Sequence, residues 1–176
     1  MEERMIFAGA GGQGLMTLGK LVALSAMREG LQVTWFPSYG AEVRGGTAHC
    51  HVVVKDSEIF SPLVEAATAL GIMNKPSFEK FSPRLADGGL LALNTSLVEP
   101  PESWNGELLA VDATGVANEL GEIRSANMVM LGALNARKAL FSDETLEGAL
   151  EEFLGKRRSG LLEVNLAAYR RGREFA

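Results

Sequence analysis

Met5-Ile6-Phe7-Ala8-Gly9-Ala10-Gly11-Gly12-Gln13-Gly14 decides the fold. An apolar run enters a glycine-rich turn, and helix periodicity begins at once with Leu15, Leu18, Leu21, Val22 and Met27. The pattern predicts a buried strand, a tight turn and a helix. Gly9, Gly11 and Gly14 fit G-x-G-x-x-G, a spacing that makes the turn, lets a phosphate approach the backbone and packs helix against strand. The helix N-terminus adds free N–H groups. Gly9, Gly11, Gly12, Gln13 and Gly14 are therefore a candidate phosphate turn; the alternative is a purely conformational role.

Outward from the turn, the helix meets a glycine stop at Arg28-Glu29-Gly30, and Leu31 to Phe36 reads as a second strand. A dinucleotide site places Asp or Glu about 20 residues past the glycines to hold the ribose. Trp35-Phe36-Pro37 stands there instead, which weakens a nicotinamide reading. Next comes a loop, Pro37-Ser38-Tyr39-Gly40-Ala41-Glu42-Val43-Arg44-Gly45-Gly46. It sets a tyrosine, a carboxylate and a guanidinium fork close together. Ser38, Tyr39, Glu42, Arg44, Gly45 and Gly46 are candidate residues of a partner contact or active-site rim, against the alternative that Glu42 and Arg44 only pair with each other.

Thr47 to Val54 reads as a third strand with His49 and His51 on one face, more simply satisfied histidines than metal ligands, and Cys50 on the other. Beyond it the pattern predicts a short strand at Ile59–Pro62 and buried strands at Ala67–Met73, Leu90–Asn94 and Leu108–Val111. Asp87-Gly88-Gly89 reads as a turn and the proline-rich stretch from Glu99 to Gly106 as a surface excursion carrying Trp104. Helices are expected after Asn74, from Ala113, from Asn127, from Ser142 or Asp143, and from Leu161 to Arg173. Six of the 17 basic residues lie between Lys156 and Arg173, either a solvated end or a docking surface for an acidic partner. Strands alternating with helices give an α/β class: a single three-layer domain over 1–176, Rossmann-like, with a mainly parallel sheet.

The 176 residues suffice to bury a core without disulfide or metal. A net charge of -5 argues against nucleic acid. No long apolar run and no signal-peptide pattern is evident, so a cytoplasmic protein without membrane contact is expected. One cysteine cannot supply the four ligands of an iron–sulfur cluster. No Ser/His/Asp set, carboxylate pair or Gly-Asp-Gly metal motif stands out, and no catalytic or metal-binding residue is assigned.

The glycine turn, the stretch Ser38-Tyr39-Gly40-Ala41-Glu42-Val43-Arg44-Gly45-Gly46, the strand after it and Ile59-Phe60-Ser61-Pro62 resemble the gamma subunit of the 2-oxoacid:ferredoxin oxidoreductases. That family includes the pyruvate, 2-oxoglutarate, ketoisovalerate and indolepyruvate enzymes. The resemblance implies a complex that oxidatively decarboxylates a 2-oxoacid to an acyl-CoA and reduces ferredoxin. Thiamine diphosphate, Mg2+ and iron–sulfur clusters would be carried by companion alpha, beta and delta chains, with CoA as cosubstrate. The isolated gamma chain would bind none of these, would be inactive, and would stand alone as a monomer or homodimer. Two other readings stay open: a self-sufficient nucleotide-binding oxidoreductase domain, and a binding module for a phosphorylated metabolite.

Overall fold

The computed structural model describes residues 1–38, 47–155 and 159–176. β1 (Glu2–Ala10) leads through the turn into α1 (Leu15–Arg28), then β2 (Gln32–Ser38), β3 (Thr47–Lys55), β4 (Ala67–Ile72) and α2 (Lys75–Phe81). β5 (Leu85–Asn94), β6 (Glu107–Val111), α3 (Ala113–Glu119), α4 (Ala126–Lys138), α5 (Asp143–Leu154) and α6 (Ser159–Arg173) follow. The strands form one sheet in the order β2-β3-β1-β4-β5-β6. β1, β4, β5 and β6 pair in parallel, whereas β3 runs against both β1 and β2. The span between Ser38 and Thr47 is too short for a parallel crossover, which needs a dozen or more residues, so β3 returns beside β2.

Alternation along the strands divides the core in two. Met5, Phe7, Cys50, Val52 and Val54 face one side with α1 and α4; Ile6, Ala8, Val53, Leu70, Ile72 and Leu93 face the other. The first side is two helices deep. Met128 through Leu134 of α4 are buried on all sides because α6 covers α4 from outside. That contact is close: a Cβ on Gly132 would collide with the Tyr169 carbonyl, and one on Gly172 with the Val129 carbonyl. Tyr169 also fastens α6 through its hydroxyl, which donates to Asp143 Oδ1 at 2.8 Å and accepts from Asn135 Nδ2 at 2.9 Å. The second side is thin. Among the described residues, one two-turn helix, α2, and the segments 56–66 and 95–106 cover it, with Phe81, Val64, Val98 and Trp104 closing the core.

Two expectations change. Ile59–Pro62 is no strand; it has no sheet neighbour, and Ile59 instead tucks against the thin core. Asp87-Gly88-Gly89 does not separate elements but forms an irregularity inside β5, where Gly88 takes φ +72° and the register with β4 shifts. Of the basic C-terminal end, the described residues are ion-paired within the chain: Arg170 with Glu147, Arg171 with Glu119, and Arg173 with Asp143 at 2.6 Å. Lys156, Arg157 and Arg158 lie outside the described residues. Trp104 folds back, its ring 6.0 Å from that of Phe78. No described helix is long and apolar enough to cross a membrane.

Candidate functional site

The carboxyl ends of β1, β4, β5 and β6 meet at one rim, where ligands of open α/β sheets bind. β1 is the switch point, since the chain leaves it toward β2 and β3 on one side and β4 to β6 on the other. The glycine turn sits there. Gly12 (φ +88°) and Gly14 (φ +74°) adopt left-handed conformations that other residues resist. Gly9 is still within β1, and a Cβ on it would press on Met73 Cβ at 2.8 Å.

Gln13 proves to be part of the scaffold. Its Oε1 accepts from Ala10 N at 2.7 Å and its Nε2 donates to the Met73 carbonyl at 3.3 Å. The same carbonyl accepts from Asn94 Nδ2, which also donates to Thr114 Oγ1 at 2.9 Å. The ends of β1, β4 and β5 are thus tied to the start of α3 by side-chain amides. Ser96 Oγ accepts from the backbone N–H groups of Thr114 and Gly115, so the N-terminus of α3 is already satisfied. α1 is different: Gly14 caps it without a side-chain bond, and no acid occupies its first turn. Among the described residues no side chain caps its N–H groups, which leaves them available to an anion.

Two hollows flank the turn. One of about 280 Å³ is lined by Gly12, Gly14, Thr17, Arg124 and Asn127; the other, of about 410 Å³, by Gly11, Gly12, Gln13, Thr114 and Arg124. Arg124 borders both and has no carboxylate ion-pair partner among the described residues. Asn127 is only 4% exposed; its Nδ2 donates to the Gly14 carbonyl at 3.0 Å. Sequence reasoning missed Arg124 and Asn94. Arg124 lies in a short 3-10 turn before α4 with no spacing signal, whereas Asn94, a polar residue closing an apolar strand, was the one available hint.

Ser38 ends β2 at this same rim, because β2 and β1 both run against β3. Tyr39, Glu42, Arg44, Gly45 and Gly46 lie outside the described residues. With β3 between β2 and β1, the end of β2 stands two strand spacings, about 10 Å, from the glycine turn. A dinucleotide fold keeps those strands adjacent, so Trp35-Phe36-Pro37 could not serve as the ribose end whatever its residues.

The two histidines face the thin core. His51 Nδ1 accepts from Val64 N at 2.9 Å, and burial, His49 and Arg84 push the imidazole down to about 4. Burial also lowers His49, with the charges of Lys80 and Arg84 acting the same way. Cys50 Sγ donates to the Leu15 carbonyl at 3.4 Å, and burial pushes its thiol up to about 12. Among the described residues no group of three or more His, Cys, Asp or Glu side chains is placed to hold a metal ion.

The geometry is that of a Rossmann-like α/β domain whose glycine turn lies at the switch point of an open sheet. The chain belongs to the pyruvate ferredoxin/flavodoxin oxidoreductase family, whose model matches residues 4–175. It is 34% identical to the ketoisovalerate oxidoreductase subunit VorA of Methanothermobacter thermautotrophicus over 99% of its own length but 36% of that chain. It is 31% identical to the 2-oxoglutarate synthase subunit KorC of Methanocaldococcus jannaschii, covering 95% of it. It superimposes on the gamma subunit of a keto/oxoacid ferredoxin oxidoreductase from Geobacter sulfurreducens with a TM-score of 0.84, 31% identity and coverage of 99% and 98% of the two chains. A 2-oxoglutarate:ferredoxin oxidoreductase from Magnetococcus marinus, solved with 2-oxoglutarate, coenzyme A and succinyl-CoA, matches with a TM-score of 0.90 at 26% identity, over 31% of that chain. The chain thus spans about a third of the ketoisovalerate relatives and nearly all of the shorter ones.

Proposed function

We propose that this chain is the gamma-type subunit of a cytoplasmic, multi-subunit 2-oxoacid:ferredoxin oxidoreductase. The observation that carries this reading is its end-to-end similarity to chains named as single subunits of such enzymes. Its role is assembly and completion of an active-site rim. Thiamine diphosphate, Mg2+ and iron–sulfur clusters belong to companion alpha-, beta- and delta-type chains. This chain's lone buried cysteine cannot hold a cluster. The glycine turn, the N-terminus of α1 and Arg124 offer donors suited to a phosphate, such as those of coenzyme A, in a hollow that Glu122 also lines. Ser38 stands at the same rim, and we assign the stretch from Ser38 to Gly46 to a partner contact or the active-site rim, with Arg44 meeting a partner carboxylate or a coenzyme A phosphate.

The test is reconstitution with the alpha- and beta-type chains of the same genome, read as 2-oxoacid- and CoA-dependent reduction of ferredoxin. Full activity of the other chains without this one overturns the reading, as does turnover by this chain alone. Within the complex, Arg44→Ala is expected to weaken association or raise the KM for coenzyme A. Unchanged association and kinetics would reject its assignment.

A further inference from the structure

The thin side of the sheet displays large apolar side chains that the fold itself holds outward. Phe60 is 88% exposed, Leu63 55% and Phe36 43%. Slack does not explain this, because the segment that carries Phe60 and Leu63 is pinned on both flanks. Ile59 packs into the thin core on one side. On the other, Val64 is buried and its N–H donates to His51 Nδ1 at 2.9 Å. Between the pins, Leu63 N donates to Ser61 Oγ at 3.2 Å, closing a tight local turn. Phe36 lies on the same sheet face: it is the register partner of His51 on β3, with ring centroids 6.4 Å apart, and His51 in turn holds Val64, the neighbour of Leu63. Exposed aromatic and aliphatic groups on a backbone already held in place suit the centre of a protein interface, since the cost of ordering the segment is reduced.

Resting on the gamma-subunit reading, we propose that the Phe36–Phe60–Leu63 patch is the docking surface for the companion alpha-type polypeptide. Two observations select this occupant. In the ketoisovalerate relatives a domain like this one fills only 36–37% of the chain, so there it is covalently joined to a larger polypeptide and has a fixed neighbour. The opposite side of the sheet is already covered two helices deep, so the thin side is where a neighbour replaces a missing layer. Beside the patch, Lys80 Nζ and the Arg84 guanidinium stand over the Phe81 ring, with no carboxylate partner among the described residues. Exposed Glu58 and Glu65 flank Phe60 and Leu63 themselves, so the rim of the apolar patch carries both signs of charge.

The experiment co-expresses this full chain with the chain of the same genome that matches the remainder of the fused ketoisovalerate relatives. Association is measured by co-purification and by titration. Phe60→Asp and Leu63→Asp are compared with Met27→Asp, an exposed position on α1, on the opposite side. The expected result is at least tenfold weaker association for each thin-side variant, wild-type association for Met27→Asp, and unchanged melting of all lone chains. Wild-type failure to associate overturns the gamma-subunit reading itself. Wild-type association that Phe60→Asp and Leu63→Asp leave intact overturns only the assigned surface. A homodimer of the lone chain that these variants dissociate would assign the patch to self-association and overturn the proposal.

Discussion

The backbone N–H of Val64 and Nδ1 of His51 are 2.9 Å apart, so one imidazole holds the 56–66 segment against the antiparallel strand. Nδ1 can accept only while it carries no proton. The folded-state pKa of about 4 lies below the ordinary 6.5, so the unfolded chain binds the proton first as pH falls. Stability is complete above pH 6.5 and declines between 6.5 and 4, by about 1–3 kcal/mol. His49 is displaced the same way and adds to the slope. Thermal melts at a series of pH values check this. His51→Phe should lower stability by about 1–3 kcal/mol at pH 7.5 through the orphaned N–H and should flatten the acid slope. A variant slope equal to the wild type's would contradict the assignment.

At the α4–α6 seam, Gly132→Ala and Gly172→Ala should each destabilise by about 1–3 kcal/mol, because the new methyl meets backbone atoms that cannot rotate away. Helix propensity alone argues the other way by about 1 kcal/mol. Gly160, in the same helix with open space around it, provides the contrast: Gly160→Ala should be neutral or stabilising. Denaturant titration of the three variants decides between packing and propensity.

Cys50 should be inert in the folded chain. Its thiol is buried against α1 and held far above the physiological range. A chromogenic disulfide reagent at pH 8 should react stoichiometrically only after denaturant is added. Fast labelling of the native chain would mean that α1 opens readily from the sheet.

Neither NAD nor NADP should bind the isolated chain with ordinary dinucleotide affinity. Calorimetric titration is expected to be flat in the micromolar range. Saturable binding there would restore the self-sufficient nucleotide-binding reading.

The strand–turn–helix opening, the α/β class and nearly every helix were legible because each rests on local periodicity or a local cap. Asn74 accepting from Ser77 N and Ser142 from Thr145 N are cases in point. The insertion of β3 between β1 and β2 was not legible, since alternation says which face a residue takes but not which strand lies alongside. Ile59–Pro62 looked like a strand because Ile59 is a real anchor on the thin core beside an aromatic Phe60; only the sheet reveals that no neighbour is there. At the rim the glycines announced themselves, but Arg124 arrives from 110 residues further along through tertiary packing alone.

The position of β3 also limits what the domain can become. In a fold whose first two parallel strands are adjacent, one acid at the end of the second can recruit a ribose, so a new cofactor lies a point mutation away. Here Phe36→Asp would place its carboxylate about 10 Å from the glycines, on the far side of an intervening strand. Reaching that chemistry would need the strands reordered, a change that substitution cannot make stepwise. Strand order therefore keeps this glycine turn from drifting toward nicotinamide use, independently of any selection on individual residues.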